Sequence, residues 1–430
     1  MKLLISVLFL LANMLSPCWA EVKPITLPNG QSILTLPAQS LPMAVIQISF
    51  QDAGSISDSD GKAGRAYVAA AMLKEGAGTL NSPALSRRLE DKAIELSVSA
   101  NREETTLTLQ ALTKHIPEAL DLATQILTQP RFETNSFEKI RSQALTDLKQ
   151  RSQSPGWLAS IHFDAEAFGE HPYALPTVGT EKSIKGLTVD DLRHWHKHLT
   201  AQNMIVSAAG DIDEDSLSQA ITKLSLALPK KAKITKLTSA PAIPQKIEPT
   251  LIKQTVPQTV AMFGLAAPKR NDPDFYAAYV MNHILGGGGL TSRLSNAIRQ
   301  QRGLAYYAST SLSPGRYSAA IYGSFATRNE SALEALNVAK EVLSTFAEKG
   351  ATQEEVQNTI DYLTGSFPLA LDNLRTQVSY LTSIQRYGLG TDYLKKRNAY
   401  FKAVTLDEVN RAAAKILAKP PLVVLVGDPK

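Results

Sequence analysis

The chain has 430 residues, of which 44% are hydrophobic and 20% are charged, with 45 Lys and Arg against 40 Asp and Glu. This length exceeds that of one typical core, and two domains of about 200 residues fit the usual size limits. Basic residues are spread along the chain without a basic run, which argues against nucleic acid as a partner. Ordinary apolar content without a low-complexity block indicates a globular protein.

The first 20 residues, MKLLISVLFLLANMLSPCWA, are typical of a cleaved export signal. Lys2 precedes an apolar run over residues 3–15, which is too short to span a bilayer, and Ala20 provides the small-residue cleavage site. Cys18 loosely resembles a lipoprotein signal, but Pro17 occupies a small-residue position, so lipidation is the weaker alternative. Cleavage removes the only cysteine and leaves a net charge of 44 − 40 = +4. We therefore expect a periplasmic protein that attaches to a membrane only if it is lipidated.

The first half of the mature chain interleaves strand-like and helix-like segments irregularly. Residues Met43 to Phe50 alternate as a strand does, and a helix follows within residues 64–78. Residues Thr105 to Leu112 predict a further strand, and Ile116 to Leu127 have the apolar spacing of an amphipathic helix. Because there is no regular βαβ rhythm, we expect an α+β fold with antiparallel layers.

Two similar stretches indicate an internal duplication. LTVDDLRHWHKHLTAQNMIVSAAGD matches VTLDEVNRAAAKILAKPPLVVLVGD, with 405 − 188 = 217 for the threonines and 427 − 210 = 217 for the glycines. Each copy predicts a helix capped by Thr188 or Thr405, a β-branched strand, and a turn at Gly210 or Gly427. The tripeptide AYV, at residues 66–68 and 278–280, leads into an apolar helix in both halves.

A segment rich in proline and lysine separates the two copies. It has no sustained apolar period, which is typical of a linker. The predicted organisation is a signal over 1–20, an N-terminal domain over 21–228, a linker over 229–248 and a C-terminal domain over 249–430.

The histidines do not form a recognisable metal motif. His194 and His198 share a helical face in HWHKH, but His196 points elsewhere, and no acidic residue has the spacing of a catalytic base. A solvated surface is therefore favoured over a transition-metal site. His283 precedes a glycine run and is better explained as a packed side chain than as a cleft residue.

The glycine run Gly286–Gly289, followed by LTSR, raises the question of phosphate binding. A P-loop requires Lys-Ser or Lys-Thr after its glycines, and the dinucleotide fingerprint requires a preceding strand and a spaced acidic residue. Neither requirement is met. A flexible loop in which Thr291 or Ser292 caps a helix that Gly303 ends fits the local sequence, but leaves Arg299 and Tyr306 unexplained.

The string GGGGLTSRLSNAIRQQRGLAYYAST resembles the C-terminal half of the pitrilysin/insulinase family, which includes mitochondrial processing peptidase. The resemblance extends over nearly the whole mature chain, including FGEHPYALPTVGT at 168–180. It implies two homologous α/β-layered domains that form half of a clamshell, with Gly286–Gly289 beside the peptide cleft. It also implies that Arg299 and Tyr306, seven residues apart, contact the substrate and the tetrahedral intermediate.

The chemistry of this pair suits the implied roles. A guanidinium is a permanent forked donor for a peptide carbonyl, and a phenol can donate to a developing oxyanion. Strand alternation predicts that Tyr306 and Tyr307 lie on opposite faces, so that only one of them serves.

The family's zinc motif, H-x-x-E-H, is degenerate here. Within GRAYVAAAMLKEGAG, Tyr67 and Ala71 occupy the histidine positions and Ala70 that of the glutamate, all on one helical face. The distal ligand position falls at or near Asp147. One carboxylate does not supply the three protein ligands of catalytic zinc, so we expect no metal on this chain.

The resemblance therefore implies the zinc-free partner of a heterodimeric zinc metallopeptidase. The chain would supply Arg299 and Tyr306, and a homologous subunit would supply H-x-x-E-H and the zinc, acting on a peptide or unfolded protein. A catalytically inactive peptide- or protein-binding scaffold on the same fold is the alternative. An autonomous hydrolase is a third, weaker interpretation, because no serine-hydrolase elbow is present.

Overall fold

A computed structural model describes residues 21–58, 61–231 and 239–430. The predicted export signal therefore lies outside the described residues, and the predicted linker is described at 229–231 and 239–248. In this segment Ile243 is buried, and the Ala240 amide donates to the Tyr317 carbonyl at 3.0 Å. No helix in the described ranges is long and apolar enough to cross a membrane.

Thirteen strands are present in the described part of the chain. They are β1 Lys23–Thr26, β2 Ser32–Pro37, β3 Met43–Gln51, β4 Gly76–Ala77, β5 Leu80–Asn81, β6 Glu95–Ala100, β7 Glu104–Leu112, β8 Met204–Gly210, β9 Thr250–Lys253, β10 Gln258–Ala266, β11 Ala305–Pro314, β12 Ala319–Arg328 and β13 Leu422–Gly427.

The α-helices lie between these strands, mostly in two uninterrupted runs, one between β7 and β8 and the other between β12 and β13. They are α1 Arg65–Met72, α2 Ser82–Glu90, α3 Ile116–Thr128, α4 Thr134–Arg151, α5 Pro155–Phe168, α6 Glu181–Lys185, α7 Val189–His196, α8 Glu214–Ala227, α9 Phe275–Asn282, α10 Ala332–Lys349, α11 Gln353–Gly365, α12 Phe367–Ala370, α13 Leu374–Tyr387, α14 Tyr393–Lys402 and α15 Leu406–Leu417. Two π-helical segments, His283–Gly287 and Ser295–Gln300, follow α9.

The two larger sheets have the same topology. The first has the order β1-β2-β8-β3-β7-β6 and the second β11-β12-β10-β13-β9. Apart from β1, the strands correspond one to one, and in each sheet only the pair β2–β8 or β9–β13 is parallel. The predicted duplication and the α+β class are thereby confirmed.

The matching ends of the two halves also form as predicted. The side chains of Thr188 and Thr405 each accept a hydrogen bond at the start of a helix and complete a capping box. Gly210 and Gly427 end the following strands at φ of +108° and +151°, where a side chain would be strained.

Each sheet is covered on one face by a helix from the opposite half. Phe163 of α5 lies against Gly264 of the second sheet, where an added Cβ would stand 2.3 Å from the ring. Reciprocally, α13 packs on the first sheet, with Gln385 Nε2 donating to the Val206 carbonyl at 2.8 Å and Thr382 bonded to Ser207 at 2.9 Å. Both faces of β13 are buried and apolar, whereas β3 places Ala44, Ile46, Ile48 and Phe50 on one face and the polar Gln47 and Ser49 on the other.

Candidate functional site

Helix α1, which carries the three degenerate motif positions, is anchored at its first turn. Gly64 precedes it at φ +85°, and the buried Asp58 carboxylate accepts hydrogen bonds from the Gly64 and Ala66 amides at 2.9 and 3.0 Å. Burial raises the pKa of Asp58 to about 7, although these amides and the Arg65 guanidinium oppose the rise. The helix therefore starts from a fixed, buried carboxyl group.

Tyr67 and Asp147 come together between α1 and α4. The Tyr67 hydroxyl donates to Asp147 Oδ2 at 3.3 Å. Burial raises the pKa of the Tyr67 phenol, and the negative charge of Asp147 raises it further, while Arg151 acts in the opposite direction. The carboxylate thus has a phenolic donor, a partner that sequence reasoning did not find.

The other two motif positions contribute only methyl groups. Ala70 is buried, and Ala71 packs against the core of the first half. A phenol bonded to one carboxylate, beside two methyls, does not fit the three-ligand arrangement of a catalytic zinc site. Within 21–58, 61–231 and 239–430, no group of three or more His, Cys, Asp or Glu could hold a metal ion.

The histidines of HWHKH are more buried than the surface interpretation predicted. His194 alone is exposed, with Nδ1 2.7 Å from the Asp190 carbonyl. His196 packs against Phe132, and its Nε2 lies 2.7 Å from the Leu127 carbonyl. Burial lowers the pKa of both His196 and His198, which suits neutral structural side chains.

The glycine run is tightly packed, which gives it a different role from the flexible loop that the sequence suggested. A Cβ on Gly286 would lie 2.6 Å from the backbone nitrogen of Thr310 in β11, and one on Gly288 would lie 2.9 Å from the His283 carbonyl oxygen. Only Gly289, at φ +64°, has open space around it. Close approach of the π-helical segment His283–Gly287 to β11 is what requires small residues here.

Ser292 lies at the N-cap position of the helical segment that begins at Arg293, and its carbonyl accepts a hydrogen bond from the Asn296 amide at 2.9 Å. The side chains of Thr291 and Ser292 do not act as the cap. Their hydroxyls donate back to the Gly288 and Gly289 carbonyls at 3.0 and 2.7 Å. Gly303, at φ +61°, does end the following segment, with its amide donating to the Arg299 carbonyl at 3.0 Å. His283 packs as expected, with its ring centroid 5.3 Å from that of Tyr362, and burial lowers the pKa of His283.

Arg299 and Tyr306 both present free polar groups. Arg299 is exposed at the end of the π-helical segment Ser295–Gln300, and Tyr306 is 80% exposed at the start of β11. Neither side chain forms a hydrogen bond or ion pair with any other residue that the structure describes. The two donors are therefore available to an external ligand.

A β-bulge changes the expected orientation of the two tyrosines. Ala305 pairs with Thr327 but Ala308 pairs with Phe325, so one extra residue is inserted at Tyr306 and Tyr307. Simple alternation is interrupted there, and Tyr307 is also exposed, at 44%. The bulge removes the regular alternation on which the prediction of opposite faces rested, and both tyrosines are exposed.

The predicted residues thus form two separate groups. Tyr67, Ala70, Ala71 and Asp147 lie on α1 and α4 of the first half, whereas the glycines and the Arg299–Tyr306 pair lie on the second half. Among the described residues, no hydrogen bond or ion pair joins one group to the other. A single sequence has no signal for the bulge, since it arises from pairing with β12.

Both halves of the chain match models of one protein family. Residues 42–181 match a model described as Insulinase (Peptidase family M16), and residues 186–363 match one described as Peptidase M16 inactive domain.

Relatives and a solved structure extend this match over most of the chain. The chain is 30% identical to the non-peptidase homolog YmxG of Helicobacter pylori, covering 86% of this chain and 85% of that protein. It is 27% identical to an uncharacterized zinc protease of Mycobacterium leprae, covering 93% and 90%. The crystal structure of a peptidase M16 inactive domain from Pseudomonas fluorescens superposes with a TM-score of 0.88 at 27% identity, covering 95% and 98%.

Proposed function

Since this chain belongs to the M16 family, whose catalytic motif is replaced here by Tyr67, Ala70 and Ala71, we propose that it is the zinc-free subunit of a heterodimeric zinc metallopeptidase. The observation that carries the proposal is the exposure of Arg299 and Tyr306 without intramolecular partners. Because neither donor is engaged within the described part of the chain, both can bind a substrate without breaking an internal contact.

The two donors have complementary tasks in this proposal. The forked guanidinium of Arg299 holds a carbonyl of the peptide chain, and the Tyr306 hydroxyl donates to the oxygen on which negative charge develops. Both act by positioning and by electrostatic stabilisation, so neither needs to exchange a proton with the protein. Close packing of Gly286 against Thr310 of β11 fixes the segment that precedes Arg299.

The partner in this proposal is a homologous chain that carries H-x-x-E-H and the zinc. Division of labour between two chains explains why binding groups survive where the hydrolytic residues are replaced. The names of the relatives include both a non-peptidase homolog and a zinc protease, which is consistent with a family that contains both types of chain. In this proposal the signal at 1–20 exports this chain to the periplasm, the partner is a periplasmic chain as well, and the substrate is a peptide or an unfolded protein.

Affinity purification of the tagged protein from its native cell envelope, followed by mass spectrometry, tests the partnership. We expect a stoichiometric chain of similar size that contains H-x-x-E-H. Peptidase activity of the purified pair, measured with a quenched fluorescent peptide library, should then require Arg299. The matched control is Arg302→Ala, since Arg302 is an exposed arginine three residues away.

Two outcomes would refute the proposal. Recovery of the chain alone, or with unrelated proteins, would favour the inactive binding scaffold. Unchanged turnover of the pair with Arg299→Ala, while assembly is preserved, would remove the role assigned to Arg299.

A further inference from the structure

A cavity of about 580 Å³ lies in the first half, separate from both groups of candidate site residues. It is bounded by α4, by α5, and by the loop that leads into α6. This loop belongs to the FGEHPYALPTVGT segment, to which the proposed function gives no role. Its volume is in the range of small-molecule sites, roughly 300–1,000 Å³.

The walls of the cavity are mainly apolar. Leu145 and Leu148 of α4 face Trp157 and Ile161 of α5, and Pro176 closes one end. Gly179, at φ +79°, holds the loop against the Ala63 carbonyl, where an added Cβ would be 2.4 Å away. The loop wall is thus held close to the start of α1.

The rim carries an excess of positive charge. Lys149, Lys185 and Glu181 line the cavity, and Lys185 is paired with Glu181 at 2.5 Å. Lys149 is exposed and has no ion pair with any residue in the described ranges. One cation is therefore left over at the mouth of an apolar cavity, an arrangement complementary to an apolar molecule with one negative charge.

Trp157 adds a large apolar contact surface. Its indole is half-buried, lines the cavity, and makes no side-chain hydrogen bond within the part of the chain that the structure describes. An indole that is apolar on its faces and free at its N–H is typical of sites that bind amphiphilic molecules.

We propose that this cavity binds a single-chain amphiphile with an anionic head group, of the long-chain fatty acid type. The acyl chain lies between Leu145 and Trp157, and the head group pairs with Lys149. The proposal concerns the chain by itself and does not depend on the peptidase partnership.

Tryptophan fluorescence tests this proposal directly. The mature chain expected after cleavage at Ala20 lacks Trp19 and has Trp157 and Trp195 as its two tryptophans, of which Trp195 is fully buried in the core. Titration with dibrominated stearate, whose bromines quench on contact, should quench the emission of Trp157 in a saturable way and spare that of Trp195. The change Trp157→Phe should abolish the quenching.

Two further comparisons test the role of the head group. Lys149→Gln should weaken stearate binding about tenfold or more, because it removes a charge-assisted contact. Lys182→Gln is the matched control, since Lys182 lies on α6 but does not line the cavity. This variant should bind stearate as tightly as the parent does. The uncharged methyl ester of the probe should bind as weakly to the parent as stearate binds to Lys149→Gln.

Absence of saturable quenching would overturn the proposal. Equal affinity of the ester and the acid would also overturn it, because the cavity would then be a nonspecific apolar surface. An apolar peptide with a free carboxyl terminus that displaces the probe more strongly than stearate does would reassign the cavity to a peptide.

Discussion

The Tyr67 hydroxyl donates to Asp147 across 3.3 Å and thereby joins α1 to α4 at the point where active relatives are expected to hold their metal. The phenol of Tyr67 donates a hydrogen bond to the half-buried Asp147 carboxylate, which the methyl groups of Ala70 and Ala71 cannot do. The position that resembles the first histidine of the motif therefore carries a structural contact in this chain. We infer that Tyr67 contributes to stability in place of catalysis.

Substitution of Tyr67 by phenylalanine should lower the free energy of unfolding by about 1 kcal/mol, the usual net value of one hydrogen bond. Urea unfolding followed by circular dichroism measures this change. Tyr362→Phe is the control, since Tyr362 is 62% exposed and its hydroxyl has no partner among the described residues. If both variants matched the parent, the bond between Tyr67 and Asp147 would be without energetic importance.

The glycine run provides a second test, because its members differ in their surroundings. Gly286→Ala should destabilise the protein by about 2–3 kcal/mol, since the new Cβ would meet the Thr310 backbone at 2.6 Å. Gly289→Ala should lower the free energy of unfolding by only about 1 kcal/mol, because the new Cβ meets no other atom and the strain comes from the positive φ alone. Thermal unfolding of both variants measures which of them is destabilised more. A smaller loss of stability for Gly286→Ala than for Gly289→Ala would restore the flexible-loop interpretation.

Local sequence patterns predicted most of the individual elements. Alternation predicted β3 over Met43–Phe50, and the observed strand is one residue longer and ends at Gln51. Apolar spacing predicted α3 over Ile116–Leu127, and the observed helix is likewise one residue longer and ends at Thr128. The capping boxes at Thr188 and Thr405 were also predictable, since each uses residues three apart. The repeat spacing then revealed that the same topology occurs twice.

Long-range contacts account for what the sequence did not predict. The exchange of α5 and α13 between sheets depends on contacts such as Phe163–Gly264, 101 residues apart, and Gln385–Val206, 179 residues apart, and no short-range pattern encodes it. The bulge at Tyr306 depends on the register of β12, and the packing of Gly286 depends on Thr310 in a later strand. The Tyr67–Asp147 bond likewise joins residues 80 apart in the chain.

The exposure of Arg299 and Tyr306 predicts that both can be changed without loss of fold. Arg299→Ala and Tyr306→Phe should each alter the free energy of unfolding by less than about 0.5 kcal/mol, as is usual for exposed side chains without partners. Chemical denaturation of the isolated chain measures this. A loss of 2 kcal/mol or more would mean that the pair has a structural role, and effects on a complex could then not be assigned to substrate binding.

The contact between the two halves contains a buried ion pair, Arg386 with Glu104. Glu104 lies at the start of β7 in the first half, and its side chain is only 7% exposed, whereas Arg386 lies on α13 of the second half. Arg386→Ala should cost about 3 kcal/mol, because a buried carboxylate would lose its cation. Arg193→Ala is the control, since its ion pair with Asp190 is exposed and should contribute less than about 0.5 kcal/mol. Similar values for the two variants in urea unfolding would contradict the importance of the buried pair.

A tyrosine at the same contact between halves predicts a pH dependence. The Tyr317 hydroxyl donates to Asp52 Oδ1 at 2.7 Å, and Arg316 binds the same oxygen at 2.6 Å. Burial, and to a lesser extent the hydrogen bond to Asp52, raises the pKa of Tyr317 from its usual 10 to about 12. The folded state therefore retains the phenolic proton after the unfolded state has lost it, so the stabilisation is complete below pH 10 and declines as the pH rises toward 12.

At pH 7 Tyr317→Phe should be less stable than the parent by about 1 kcal/mol. Urea unfolding at intervals from pH 7 to pH 11 should show this difference narrowing above pH 10, and a constant difference would contradict the raised pKa of Tyr317.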